Sequence, residues 1–344
     1  MSTLEELTTP VEQARWILSL NSAYTGAKIL HSAVEVGLFE FLADGGSTLD
    51  GIVDGLELHR GTALDFLDAL AGLGLLTRED GAYRNSAAAE EFLVPSRPLY
   101  LGGSVLSHSE VHYGAWAGLT SALRDGRANS GVVAAGFTLA YDEPERLRKF
   151  LEHMDSFNRF VADGLDTCVD WKDHGTFLDL GGARGNIAAH LVRTHRHLRG
   201  TVFDLAPVEA HFDEHMAAMG TADRVGFHSG DFFTDPIPRA DVVIIGHTLH
   251  DWGEEQRRRI VERAAEAVSP GGALVVYDAM IDDDRADPDA LLQSLRCRMV
   301  REGGSEYTVE QCRSWVESAG LSVAGVHAVD SLTRDKVLIA GKPE

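Results

Sequence analysis

The sequence predicts an α/β fold: a doubly wound parallel sheet preceded by a smaller, mainly helical domain that ends in a hairpin. Three observations carry that prediction. Five short apolar runs lie between residues 176 and 277 and alternate with stretches of helical period. The first run ends in a glycine cluster, Asp179-Leu180-Gly181-Gly182-Ala183-Arg184-Gly185, where a strand would turn into a helix. The first hundred or so residues show helical spacing closed by one hairpin signal.

Taken in order, residues 11–20 and 27–41 place apolar groups three and four apart, which predicts two amphipathic helices. A helix-like stretch follows Thr48 and another covers 62–73, and Glu79-Asp80-Gly81 between short extended runs predicts the hairpin. Helices followed by a hairpin describe a winged helix, assigned here to residues 1–105. Asp65 and Asp68 stand where a DNA-reading helix would need cations, so dimerisation or a substrate-lid role is expected instead. Residues 106–170 read as linking helices rich in aromatics, among them Trp116, Phe150, Phe157 and Phe160. They are expected to pack between domains and wall an aromatic substrate, with Met154 and Phe157 as candidate acceptor contacts. Residues 171–344 hold the sheet, with strands at 176–180, 200–204, 225–228, 241–245 and 273–277. Helices are expected at 186–196, 208–219 and 254–268, the last stopped by Pro270-Gly271-Gly272, and a closing strand pair at 321–329 and 336–341.

Composition narrows the function. Against 53 acidic residues stand 31 basic ones, a formal charge of −22, and such a surface repels phosphate backbones. A small-molecule substrate is expected, not nucleic acid. Cys168, Cys297 and Cys312 are odd in number and lack CxxC spacing, which argues against a disulfide framework and a structural zinc site. The acidic start Met1-Ser2-Thr3-Leu4-Glu5-Glu6 has no apolar signal core. No apolar run approaches the roughly 18 residues that span a bilayer. A reducing cytoplasm and no membrane are expected.

Ligands of doubly wound sheets lie beyond the carboxyl ends of the strands. Glycines after the first strand let a ligand lie against the backbone. Asp204 ends the second strand, where an acid accepts hydrogen bonds from ribose hydroxyls, and Asp231 in Ser229-Gly230-Asp231-Phe232-Phe233 is placed for an adenine amino group, with Phe232 on the ring. A nicotinamide dinucleotide would share the ribose acid, but its fingerprint is GxGxxG. Here the order is GGxxG, with several acids and no obvious pyrophosphate pocket. S-adenosylmethionine (SAM), cationic at sulfur and free of phosphate, fits better.

After the fourth strand comes Gly246-His247-Thr248-Leu249-His250-Asp251-Trp252. A histidine at that edge, with an unperturbed pKa of about 6.5, suits a general base. With 15 histidines in the chain, a purely structural role is the ordinary alternative. Asp251 is expected to cap the following helix. Asp278 follows the fifth strand, and Glu306 lies in Gly303-Gly304-Ser305-Glu306-Tyr307-Thr308 before the helix at 309–319. Either acid read alone is an ordinary helix-start residue.

These segments, together with Leu249-His250-Asp251-Trp252 and Pro270-Gly271-Gly272, resemble the class I SAM-dependent O-methyltransferases of the plant caffeate type and their bacterial natural-product relatives. The resemblance covers nearly the whole chain. It implies a Rossmann-like catalytic domain behind a winged-helix domain that forms a homodimer. It implies His250 as base, Asp278 and Glu306 as its flanking orienters, and Gly182, Asp204, Asp231, Phe232 and Gly246 as cofactor contacts. No metal is implied. C-methylation of an enolisable 2-oxo acid is the nearest competitor; relatives of that kind use a metal held partly by histidine, and the region around Met299 offers none to join His250 and Asp251. A SAM-binding relative with non-methylating chemistry and a ligand-sensing winged-helix regulator are the remaining alternatives.

One segment departs from the pattern. Leu295-Arg296-Cys297-Arg298-Met299-Val300-Arg301-Glu302 carries three arginines where relatives have a neutral apolar run. On a helix Arg296 and Arg298 lie about 200° apart, so at most part of the set faces the pocket. The alternatives are a solvated face near the acid-rich 282–289 loop, or a bidentate clamp on an acceptor carboxylate through Arg296 or Arg298.

Overall fold

The N-terminal helix is longer than its periodicity suggests. In the computed structural model, which describes residues 6–43, 45–128 and 143–344, Pro10–Glu35 is one helix of 26 residues, not two. The polar stretch that reads as a break continues the helix. Ser22 Oγ donates to the Leu18 carbonyl at 2.9 Å and Thr25 Oγ1 to that of Ser22 at 2.8 Å, so these hydroxyls bond back to the turn before them. The real break is Gly37, in the left-handed region at φ 72°, after which Leu38–Leu42 starts afresh. Val11, Ile17, Leu18, Leu20 and Tyr24 on the long helix stay more than half exposed.

The chain divides after Glu110 into two compact units. In the first, β1 (Ser47–Thr48), β2 (Leu76–Glu79) and β3 (Ala82–Asn85) form an antiparallel sheet in the order β1-β3-β2. The two-residue loop between β2 and β3 is Asp80-Gly81, both at positive φ, the tight hairpin turn that Asp-Gly favours. Asp68, on the helix Arg60–Gly72, accepts from the Tyr83 hydroxyl at 2.6 Å and from Arg78 at 3.0 Å. The acid that looked wrong for DNA reading therefore holds the hairpin to the helix.

The second unit carries the main sheet: β4 (Thr176–Leu180), β5 (Arg199–Asp204), β6 (Val225–Ser229), β7 (Ala240–Gly246), β8 (Val268–Asp278), β9 (Ser322–Ala328) and β10 (Lys336–Gly341). Their order is β6-β5-β4-β7-β8-β10-β9. The first five are parallel, and β10 runs antiparallel to both β8 and β9. Along β4, β7 and β8 successive side chains enter opposite cores. Leu178, Leu180, Val243, Ile245, Leu274 and Val276 meet Ile260, Val261 and Trp315 on one face. Phe177, Val242, Ile244 and Val275 meet Leu165, Ile187, Leu191 and Phe212 on the other. Burial on both faces is why these strands read as unbroken apolar runs.

Two expectations shift. Pro270-Gly271-Gly272 does not stop the preceding helix, which ends at Ala267. Those residues lie within β8 at an irregularity in its pairing with β7, where Ala240 faces Val268 but Val242 faces Ala273. The helical stretch expected across 106–170 is seen at Gly102–Ser107, Leu119–Asp125 and Pro144–Cys168, and its portion at 129–142 lies outside the described residues.

The strand order reverses between β4 and β7, which opens a crevice at their carboxyl ends. Gly246 closes β7 there, and a Cβ at that position would stand 1.8 Å from Tyr277 Cζ. Gly246→Ala is expected to lower the urea midpoint by the equivalent of about 1–3 kcal/mol, the usual cost of overpacking. Adding Tyr277→Leu should recover part of that loss, and unfolding curves of the two single variants and the double variant check it.

Candidate active site

The glycine loop is built around two buried acids. Gly181 takes φ 78°, and a Cβ there would meet Thr248 Oγ1 at 2.9 Å; a Cβ on Gly182 would fall 2.6 Å from Asp179 Cγ. Asp204, at the end of β5, accepts from the Ala183 N–H at 2.9 Å and the Leu205 N–H at 2.7 Å. Asp179 is 3% exposed, and its Oδ2 has no hydrogen-bond partner among the described residues. Burial, helped by the charge of Asp204, pushes Asp179 up to about 7. Burial pushes Asp204 up to about 6 against the pull of the Leu205 and Ala183 amides. Asp231 is half-buried and accepts from the Phe233 N–H at 2.8 Å. Phe232 sets its ring edge-on to Trp252, with centroids 5.8 Å apart.

This cradle suits the cofactor expected from the sequence. The loop's own arginine is already engaged, since Arg184 and Asn186 both pair with Asp155 on the helix Pro144–Cys168. Two buried carboxylates without a cation favour a positively charged, ribose-bearing ligand over a pyrophosphate.

The second half of the crevice centres on His250, in the short turn Leu249–Asp251 after β7. Its Nδ1 lies 2.8 Å from Asp278 Oδ1 and 3.1 Å from Glu306 Oε1, and both carboxylates are wholly buried. Asp278, the last residue of β8, also accepts the Tyr307 hydroxyl at 2.6 Å. Burial pulls the imidazole's pKa down, but Asp278, followed by Cys297 and Glu306, holds it well above the ordinary histidine value. Burial raises the Glu306 carboxyl, with His250 opposing. The three groups first read separately therefore converge on one imidazole.

Arg257 fixes that convergence. Almost fully buried, it donates through Nε to the Leu249 carbonyl at 2.9 Å and through its terminal nitrogen to the Ser305 carbonyl and to Ser305 Oγ. The Ser305 N–H in turn donates to the His250 carbonyl at 2.8 Å. The turn bearing His250 is thereby tied to the loop bearing Glu306. Asp251 does not cap the next helix. Gly253 takes that place, its N–H donating to Gln256 Oε1 at 3.1 Å, while Asp251 faces Arg301 at 3.3 Å.

The arginine run resolves unevenly. Pro288–Val300 is a helix on which Arg298 is exposed and Arg296 half-buried. The guanidinium of Arg296 has no ion-pair partner among the described residues, and burial lowers its pKa while Cys297 and Glu306 oppose. The acid-rich loop takes its cations from elsewhere, Lys336 on Asp282 and Arg334 on Asp289. Met154 and Phe157 are both half-buried, and Phe157 sets its ring edge-on to His247, with centroids 6.3 Å apart.

Sequence reasoning missed three features here. His247 takes a positive φ of 46°, bonds Asp335 Oδ1 through Nε2 at 2.9 Å and stacks on His250 with centroids 6.0 Å apart. Asp179 was read as the start of the loop and given no role. Cys297 reaches His250 and Glu306, their ligand atoms all within 4.8 Å of one another. Only His247 left a signal, its place at the end of a strand.

Comparison with known proteins identifies the family. Residues 116–322 match the family profile described as an O-methyltransferase domain, and residues 18–95 the O-methyltransferase dimerisation domain. The chain belongs to the SAM-dependent O-methyltransferase family. Family relatives include the N,N-dimethyltransferase OxyT of Streptomyces rimosus, 46% identical over 97% of this chain and 98% of that one. The tetracenomycin polyketide synthesis 8-O-methyl transferase TcmO of Streptomyces glaucescens is 45% identical over 95% and 96%. Human N-acetylserotonin methyltransferase, solved in complex with SAM, superposes with a TM-score of 0.88 at 26% identity, covering 98% of this chain and all of that one. The protein is a SAM-dependent methyltransferase of the natural-product kind. Among the described residues no helix is long and apolar enough to cross a membrane.

SAM bound against the two loop acids would carry a pH signature. Asp179 at about 7 and Asp204 at about 6 are neutral below those values, and a cationic ligand that donates hydrogen bonds prefers them charged. SAM affinity measured by calorimetry should fall by up to about tenfold between pH 8 and pH 6, and Asp204→Asn should weaken binding at both.

Proposed function

We propose that the protein methylates a hydroxyl on an aromatic or polyketide-like small molecule that also carries an anionic group, with His250 as the general base. The observation that carries this reading is His250 Nδ1 in contact with the buried Asp278 and Glu306 carboxylates. Nδ1 held on two carboxylates presents the opposite ring nitrogen, Nε2, to an acceptor. A phenol ionises near pH 10, so a base within hydrogen-bonding reach is needed at neutral pH. Nε2 takes the hydroxyl proton, and the resulting imidazolium is stabilised by Asp278, which Tyr307 steadies.

Bound SAM supplies an electrophilic methyl group for in-line displacement. The chain's own task is then alignment and desolvation of the acceptor oxygen. Gly182, Asp204, Asp231, Phe232 and Gly246 are the proposed cofactor contacts. Arg296, half-buried and without an anionic partner among the described residues, is the proposed clamp on the acceptor's anion, while Arg298, exposed on the helix, is left outside it. Met154 and Phe157, from the helical region 106–170, are the proposed wall. The unit that contains residues 18–95 is proposed to form a homodimer through the apolar groups its long helix exposes, and the enzyme to work in the cytoplasm.

A second reading has one observation in its favour. OxyT, named an N,N-dimethyltransferase, is 46% identical to this chain, so an amine acceptor is the alternative. Incubating the protein with SAM and matched phenols and arylamines, each with and without a carboxylate, and scoring the mass gain separates the two.

Three outcomes follow from the geometry. His250→Ala should keep SAM affinity and lose about 10²–10⁴-fold in turnover; an active variant would remove His250 as base. Arg296→Gln should raise KM for a carboxylated phenol about tenfold or more, leaving KM for its neutral analogue within about twofold. Because the neighbouring acids hold the imidazole's pKa high, the basic form is scarce at neutral pH, so turnover should rise with pH. Bound SAM, being cationic, should lower that pKa. The acidic limb of kcat should therefore lie at lower pH than that of kcat/KM for SAM.

A further inference from the structure

We propose that His250, Glu306 and Cys297 form a binding site for a zinc-like divalent cation, and that occupancy of this site switches the enzyme off. The three residues come from separate parts of the chain: the turn after β7, the loop before the helix Val309–Ser318, and the helix Pro288–Val300. One ligand atom from each of His250, Cys297 and Glu306 lies within 4.8 Å of the others. Asp278 Oδ1 lies 2.8 Å from Nδ1 but outside that group. Imidazole, thiolate and carboxylate are the donors zinc prefers, and three of them leave one position of a tetrahedral shell open.

The polar atoms in this cluster are not otherwise satisfied. Asp278 Oδ1 and both oxygens of Glu306 are buried with no aligned hydrogen bond among the described residues, and so is His250 Nδ1. The nitrogen lies 2.8 and 3.1 Å from the two acids, and its single N–H serves only one of them at a time. A divalent cation in that position would satisfy the nitrogen and a Glu306 oxygen together. With zinc–ligand bonds of about 2.0–2.3 Å, tetrahedral donors sit about 3.3–3.7 Å apart. The Nδ1–Glu306 separation of 3.1 Å therefore needs to open by about half an ångström, and the group's wider spacings, up to 4.8 Å, need to close by about one. The Cys297 sulfur accepts from Gln293 Nε2 at 3.9 Å, a weak contact to give up.

Charge and proton balance follow. The ion replaces the Nδ1 proton and displaces the thiol proton of Cys297, and both pass to buffer. Burial holds that thiol near 12, so coordination rather than free ionisation must drive its loss. Coordination spends the imidazole's basicity on the metal and breaks the Asp278 contact that orients it. Inhibition therefore rests on the reading of His250 as base; binding does not. A second group, Asp163, Asp166 and His190, also lies within ligand distance. There, however, Asp166 already bonds His190 at 2.6 Å and His195 at 3.0 Å, so its groups satisfy one another.

The test is calorimetric titration of chelator-treated, full-length protein with zinc chloride alone, in two buffers of different ionisation enthalpy. One ion is expected to bind with an affinity on the order of 1 μM and with proton release. Cys297→Ser and Cys297→Ala should each weaken binding at least about tenfold, while His190→Gln should not. In the methylation assay zinc should inhibit the wild type reversibly on adding EDTA, and Cys297→Ser should need at least about tenfold more zinc. Binding that survives both Cys297 substitutions overturns the proposal, as does binding lost in His190→Gln or no binding below about 100 μM. If zinc binds as described but no acceptor is methylated, the functional reading fails and the metal site stands. If methylation proceeds but zinc does not bind, the reverse holds.

Discussion

A single buried guanidinium holds the reactive centre together. Arg257 lies beneath the crevice, where burial lowers its pKa, with Tyr307 and Trp315 stacked near its plane at 5.1 and 5.8 Å. Its donors go to Leu249 and Ser305, far apart in sequence but adjacent in space. A planar fork with fixed donor directions sets the angle between two peptide segments in a way a flexible ammonium does not. The relation between His250 and Glu306 depends on that angle, because neither segment is a regular element that would impose it. The arginine matters for geometry first and for charge second.

The same constraint explains what the sequence discloses and what it hides. The parallel strands were legible because burial on both faces leaves runs such as Asp241-Val242-Val243-Ile244-Ile245 with no polar interruption. Asp204, Asp278 and His250 were legible because each ends a strand or follows one closely, which is where this architecture puts its chemistry. Arg257 was hidden in Glu254-Glu255-Gln256-Arg257-Arg258-Arg259, which reads as one solvated helix start; steps of about 100° around the helix separate the buried member from half-buried Arg258 and exposed Arg259. Asp335 was hidden because it comes almost ninety residues after His247, on a loop without periodicity. The long N-terminal helix reads as two because the apolar spacing lapses between residues 20 and 27, while the backbone continues as one helix, Pro10–Glu35.

Electrostatics give the crevice its character. Asp179, Asp204, Asp278, Glu306 and Asp335 are all buried at or near the carboxyl edge of the sheet, against His247, His250 and Arg296. Burial raises the pKa values of Asp179, Asp204 and Glu306, and Asp335 escapes because His247, Ser331 and Thr333 all face it. A site of this kind costs the apo fold stability near neutral pH, and a cationic ligand returns some of it. Strain and charge are concentrated where ligands bind, a pattern common to working sites.

The pairing of Arg184 with Asp155 has a consequence for how two ligands share one protein. Asp155 sits between Met154 and Ser156 on the helix that also bears Phe157, and Arg184 belongs to the glycine loop. A movement of that helix is passed to the loop through a charged contact with little slack, and the reverse holds equally. Two ligands that each prefer one position of the pair alter each other's affinity by the same factor. The linkage would then run through one carboxylate, Asp155, which holds both Arg184 and Asn186 of the loop.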